Sequence, residues 1–249
     1  MAVAAGVVLC ASMVPSTADA ATSGVPMTCG MVVTDDAMIY LQKDLHCTDF
    51  AVRATGVFPD GNLAPRVIVD LRGHTLSGPG SGSGITAFGN TITAASLEVK
   101  NGRIQGWDVG VGGDSVTSVK NVVLTKNRVG FFCNGTCSAE ASLFSKNTEE
   151  GFFAGGESEA TVTRSFFYKN KTGAVVLSLP FSLHVSKSVF LANETGVAGY
   201  SGASLSVSRS TFIKNRTGVL YQVVDEAQCV ALYKNRFVRN GVNVNGPAC

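Results

Sequence analysis

The stretch SFFYKNKTG, residues 165–173, returns as SVFLANETG at 188–196 and as STFIKNRTG at 210–218. Earlier versions of the register are SVKNVVLTKNRVG at 118–130 and AEASLFSKNTEEG at 139–151, and NRFVRNGV at 235–242 is a decayed last copy. The marker asparagines Asn127, Asn147, Asn170, Asn193, Asn215 and Asn240 stand 20, 23, 23, 22 and 25 residues apart. That is the length of one solenoid coil, and it is shorter than the repeat a helical hairpin needs.

Three residues before each marker stands Leu124, Phe144, Phe167, Phe190, Phe212 or Phe237, and three or four after most of them stands Gly130, Gly151, Gly173, Gly196 or Gly218. A column of large apolar residues at one register position is expected to stack inside a tube. The glycine is expected to permit a turn with φ above zero, and the asparagine to hydrogen-bond the neighbouring coils as a ladder. Between the turns, Leu183-His184-Val185 and Leu205-Ser206-Val207 alternate with the period of short half-buried strands. Strands that meet their equivalents one coil later are parallel and in register, so the expected architecture is all-β: a single-stranded parallel β-helix. The register from about Val116 to Val242 resembles the pectate-lyase-like superfamily of right-handed parallel β-helix proteins. Upstream, LQKDLHC at 41–47 and VIVDLRGHTLSG at 67–78 look like the opening of secreted bacterial members of that superfamily, and NGRIQGWDVGV at 101–111 resembles an early coil.

The organisation read from the chain is a signal peptide at 1–20, an N-terminal capping segment and loop at 21–66, and the β-helix at 67–249. The leader reading rests on an apolar run from Val3 to Val14 before Ala18-Asp19-Ala20, a form accepted by signal peptidase. Residues 52–65, with Pro59-Asp60-Gly61-Asn62, read as an inserted loop. No later segment has the length of a transmembrane span. Setting Cys10 aside leaves Cys29, Cys47, Cys133, Cys137, Cys229 and Cys249, an even number that suits an oxidising compartment. Of the fifteen possible connectivities, proximity favours Cys29 with Cys47, Cys133 with Cys137 and Cys229 with Cys249. Zinc is disfavoured, because Cys133-x-x-x-Cys137 has no second ligand pair and only His46, His74 and His184 stand elsewhere. No cofactor, metal or nucleic acid is expected.

The superfamily's enzymes, as the resemblance implies, act on acidic polysaccharides at an outward sheet. Their calcium cages, epimerase signatures and paired carboxylates are not visible here, and a fold alone supplies no activity. Two candidate sites remain. Strand alternation through residues 67–74 would place Asp70, Arg72 and His74 on one outward face, where they could orient one another for catalysis; the competing reading is a polar cap on the first coil. Six residues before successive markers lie Arg164, Lys187, Arg209 and Lys234, and one residue before them lie Lys126, Lys146, Lys169, Lys214 and Arg239. From Glu98 onward there are 16 Lys and Arg against 11 Asp and Glu, so stacked coils would present stripes of cations. The stripe of Arg164, Lys187 and Arg209 is the expected binding face for an acidic polysaccharide, and a solvated face that resists edge aggregation is the alternative. The leading reading is a secreted β-helix protein that contacts acidic polysaccharide through an outer face, with turnover as a polysaccharide lyase or glycoside hydrolase left open within it. A structural or adhesive surface protein without turnover is the competing function. Ice binding fits poorly, since Thr161 and Thr163 are answered by serines in later coils. The sequons at Asn134, Asn170, Asn193 and Asn215 are glycosylation candidates, although three of them are ladder markers. Trp107 and Tyr200 are candidate sugar platforms, with packing as the alternative.

Overall fold

The computed structural model describes residues 24–55, 65–88, 95–114, 116–156, 159–177, 181–222 and 229–249. The signal-peptide reading of residues 1–20 and the Pro59-Asp60-Gly61-Asn62 loop lie outside these residues. Each late coil contributes three strands, as in Glu159–Thr163, Phe166–Tyr168 and Thr172–Val176. Every one pairs in parallel with its equivalent in the next coil: Glu159 with Ser182, Phe166 with Val189, Thr172 with Thr195. The result is a 10-stranded sheet that runs from Met31–Val33 to Val242–Asn245, and a 17-stranded sheet made of the other two stacks. Those stacks are continuous in the early coils because Ser96–Gln105 and Thr117–Thr125 run through both. Alternation sorts the faces: Leu183 and Val185 are buried, and His184 between them is exposed. This is the parallel β-helix expected from the repeat.

Phe144, Phe167, Phe190, Phe212 and Phe237 form one stack inside it. Successive ring centroids are 4.6, 4.6, 4.9 and 5.0 Å apart, and the rings lie within 14° of parallel. The column continues downward through Leu124, Ile104, Leu76 and Leu45, which are paired in register. The glycines play a different part from the one the sequence suggested. Gly130, Gly151, Gly173, Gly196 and Gly218 do not have positive φ. Their column lies against the ring stack: a Cβ on Gly151 would stand 2.6 Å from the Gly173 carbonyl oxygen and 2.9 Å from the Phe167 ring. They are glycines because no side chain fits there.

Positive φ is found at the corners instead. Arg72, Asn101, Asn121, Ala141, Arg164, Lys187, Arg209 and Lys234 form one row with φ between 48° and 58°. Lys126, Lys146, Lys169, Ala192, Lys214 and Arg239 form a second, just before the asparagines, with φ between 53° and 56°. Both rows of cations therefore sit at left-handed corners, where the backbone turns and the side chain leaves the solenoid.

Two side-chain ladders close the buried backbone at these corners. Asn127, Asn147, Asn170, Asn193 and Asn215 are at most 3% exposed. In each step the Oδ1 accepts the backbone N–H of the asparagine one coil earlier, as Asn193 does from Asn170 at 2.9 Å, and the Nδ2 donates to a carbonyl such as Phe167 O at 3.1 Å. Ser142, Ser165, Ser188 and Ser210 build the second ladder, buried to 4% exposure or less. Each serine donates to the carbonyl two residues earlier, and its Oγ accepts a backbone N–H from the preceding coil, as Ser188 Oγ does from Ser165 at 3.1 Å. The sequence reading did not use these serines, although each stands two residues before its phenylalanine.

The ladder reaches back before residue 67: Met31–Val33 pairs with Val52–Thr55, and Ala37–Tyr40 with Arg66–Asp70. Val52–Thr55, read as loop, is a strand because Val52 and Ala54 extend a buried inner column beneath Ile85 and Ala87. Disulfides join Cys29 to Cys47 and Cys229 to Cys249 near the two ends, and Cys133 to Cys137 within a coil.

Candidate functional site

The strand that begins at Arg66 ends at Asp70, and Arg72 and Gly73 turn the chain with φ of 49° and 82°. The alternation that would have aligned Asp70, Arg72 and His74 is broken there, and each of the three has a different partner. Asp70 Oδ1 accepts the Arg72 backbone N–H at 3.0 Å and the Asn101 Nδ2 at 3.3 Å, which makes it a turn cap. The Arg72 guanidinium lies 3.6 Å from the centre of the Tyr40 ring. His74 Nδ1 lies 3.6 Å from the Asp44 carboxylate.

The cation row of Arg164, Lys187, Arg209 and Lys234 is brought together as a straight line of exposed corners in successive coils, one coil spacing of about 4.8 Å apart. Arg164 is ion-paired with Glu140, which also lies 3.5 Å from Lys120. No ion pair engages Lys187 or Arg209 among the described residues. The second row runs parallel, five residues further along each coil, with Ala192 as its one neutral place between Lys146 and Arg239. Between the rows lie the three-residue strands, whose outward side chains are half-buried: Phe166 and Tyr168, Val189 and Leu191, Thr211 and Ile213. Lys169 Nζ stands 5.1 Å from the centre of the Tyr168 ring. The face is thus a semi-apolar strip bordered by two rows of cations, both directed outward by the corner geometry.

A third charged column lies past the asparagine ladder. Parallel register aligns Asp108, Arg128, Glu149, Lys171, Glu194 and Arg216, residues that each precede a paired strand position, so sign alternates from coil to coil. Arg128 reaches Asp108 Oδ1 and Glu149 Oε2, both at 2.5 Å. The hydrogen-bonded Arg128 guanidinium holds the Asp108 carboxyl below the usual carboxylate range, and the two carboxylates raise the guanidinium in turn. Burial, with Glu149 alongside, pushes the Glu150 carboxyl up. This column neutralises itself and offers little to an anionic ligand.

Two sugar-contact candidates separate here. Trp107 is 1% exposed and packs against Gly78 and Gly84, out of reach of any outside ring, while Tyr200 is half-buried at the end of its coil. Asn170, Asn193 and Asn215 are buried in the ladder, so their sequons are closed to modification in the folded chain.

Continuous parallel stacks, an inner aromatic column and corner ladders define a right-handed parallel β-helix. The chain belongs to the NosD family, described as periplasmic copper-binding protein, which matches residues 68–247. No curated protein matches. Among solved structures, the A-module of the Azotobacter vinelandii mannuronan C-5 epimerase AlgE4 is similar with a TM-score of 0.43 and 10% identity, over 84% of this chain and 88% of that one. The family's periplasmic description and the three disulfides fit a location outside the cytoplasm. No helix among the described residues is long and apolar enough to cross a membrane.

Among the described residues, the histidine, cysteine and carboxylate side chains assemble no site for the copper of the family's description. The six described cysteines are spent in disulfides. His46 and His184 face Ser77 and Ser206, His74 faces Asp44, and no group of three or more His, Cys, Asp or Glu among the described residues is placed to hold a metal ion.

Proposed function

We propose that this chain binds an acidic polysaccharide, without turning it over, along the corner row of Arg164, Lys187 and Arg209. The observation that carries this reading is that four successive coils place a cation at one left-handed corner, where the three coils before them place Asn101, Asn121 and Ala141 and the row opens with Arg72. Nothing in the backbone requires charge there, because asparagine suits positive φ better than lysine or arginine. A line of cations repeating at about 4.8 Å presents a linear polyanion with several simultaneous, screened contacts. The half-buried Phe166 and Val189 beside the row offer apolar faces for a sugar ring. Binding rather than turnover is assigned because Asp70, Arg72 and His74 are held by three different partners.

The test is retention on immobilised uronate polymer. The parent should be retained at about 0.1 M salt and released towards 1 M, as the Debye length contracts from about 10 Å to about 3 Å, and neutral glucans should not compete. Arg164→Asn, Lys187→Asn and Arg209→Asn together, produced in a bacterial host, use the residue this corner already accepts at Asn101 and Asn121. That variant should flow through while keeping its unfolding midpoint. A parent that ignores polyanions at low salt, or a triple variant retained like the parent, overturns the reading.

A further inference from the structure

The inner columns of the β-helix end at its two terminal coils, and they end at the same register positions. The column of the phenylalanine stack begins at Leu45 and finishes at Phe237; the column through Val52, Ile85, Val111, Phe131 and Phe152 begins at Met31 and finishes at Val244. All four of these end residues are only partly buried, although they pack against the core. Exposed apolar side chains gather at the same places: Val25 and Val32 on the first strands are 53% and 58% exposed, and Tyr233 and Val242 on the last are 54% and 46%. Backbone is open there too. Among the described residues, Met31–Val33 and Leu45–His46 pair only towards the C-terminal side and Arg236–Val238 and Val242–Asn245 only towards the N-terminal side, while the third stack is capped by Val25–Pro26 on Ala37–Tyr40 and by Ala248 on Val230. Such edges are templates for another strand.

Charge separates the two ends. Residues 24–49 carry Asp35, Asp36, Asp44 and Asp49 against Lys43. Residues 229–249 carry Lys234, Arg236 and Arg239 and no acidic side chain, with Asp225 and Glu226 just before them in the sequence. All eight charged side chains within the two segments belong to exposed residues.

We infer that the basic C-terminal coil of one copy docks on the acidic N-terminal coil of another, so that the chain associates head to tail with itself. The two uncapped stacks bring Phe237 towards the partner's Leu45 and Val244 towards the partner's Met31, with the Val25–Pro26 and Ala248 caps meeting in the third stack. The occupant is a second copy because it alone combines the matching column ends with the opposite charge. The contact is heterologous and does not close on itself, so growth is concentration-dependent and open-ended. It takes in Lys234 at the end of the corner row, but the polyanion test changes only Arg164, Lys187 and Arg209, so the two readings can fail separately.

Sedimentation of the full-length protein across a wide concentration range tests this. Average mass should climb with concentration at about 0.1 M salt and fall back towards monomer near 1 M, where the charges are screened. Two charge variants then fix the interface. The first carries Lys234→Asp, Arg236→Glu and Arg239→Asp, with Asp at the two positions whose φ is 51° and 54° because it tolerates that region. The second carries Asp35→Lys and Asp49→Lys, and it leaves in place Asp36 and Asp44, which accept the Arg66 and Thr75 backbone N–H groups. Each variant alone has like-charged ends and should associate about a hundredfold more weakly or worse. Mixed in equal amounts they should associate again, which also shows that both are folded. A parent that stays monomeric at every concentration, variants that assemble like the parent, or a mixture that fails to recover association while both variants keep parental circular dichroism would each overturn the inference.

Discussion

The Asn193 side chain makes four hydrogen bonds: Oδ1 accepts from Asn170 N and Nδ2, and Nδ2 donates to Phe167 O and Asn215 Oδ1. Replacing it with alanine leaves a buried N–H and a buried carbonyl unpaired, and each such group costs about 1–3 kcal/mol. Asn193→Ala should therefore lose about 3 kcal/mol of stability in a urea titration. Asn193→Asp should not rescue it, because a carboxylate accepts but cannot donate to Phe167 O. A loss near the surface value of about 0.5 kcal/mol would show that the ladder is not what closes this corner. The marker residues were legible in the sequence because a side chain that must both donate and accept along one axis leaves little alternative to asparagine. The serine ladder does the same work less visibly, since serine is common and its spacing to the phenylalanine was not read as a bond.

Phe190 is fully buried between Phe167 and Phe212, with centroids at 4.6 and 4.9 Å. Phe190→Ala should destabilise by about 3–5 kcal/mol, since the glycine column beside the stack and the rings above and below cannot collapse into the void. Chemical denaturation reads this directly, and Phe166→Ala, on the half-buried outer side of a neighbouring strand, is the control expected to cost far less. Inner and outer faces of the strands were readable because alternation in a half-buried strand is dictated by water on one side and packing on the other. Alternation failed where a strand stopped. It was carried through Leu71 into a turn at Arg72 and Gly73, and that single step is what scattered the proposed Asp70, Arg72 and His74 face. General turn chemistry points to glycine for positive φ, whereas the fold puts lysine and arginine at those corners and keeps glycine for the ring stack. Val52–Thr55 went unread as a strand because it is short and borders a Pro- and Gly-containing stretch.

Across six successive coils, the column Asp108, Arg128, Glu149, Lys171, Glu194 and Arg216 alternates in sign, so each charge meets an opposite one in the neighbouring coil. Arg128→Ala removes the cation that Asp108 and Glu149 share, and it should cost about 1 kcal/mol at neutral pH, a modest figure because the partners are 41–45% exposed and screened. The Asp108 carboxyl is held below its ordinary range in the folded chain. Its contribution is therefore present above the ordinary aspartate value of about 3.9 and is lost as pH falls through the lowered folded value. Unfolding midpoints of parent and variant should converge as the pH drops below that range; a constant gap would assign the loss to packing of the arginine stem instead. The asparagine ladder also bears on how the chain can be made. A glycosylating secretory pathway meets Asn170, Asn193 and Asn215 while the polypeptide is still extended, before any coil has closed. An oligosaccharide on Asn193 Nδ2 would leave one hydrogen where the ladder uses two and would force a hydrated sugar into a position 3% exposed. The modification and the fold exclude each other, so a eukaryotic expression host would compete with folding for the same three side chains.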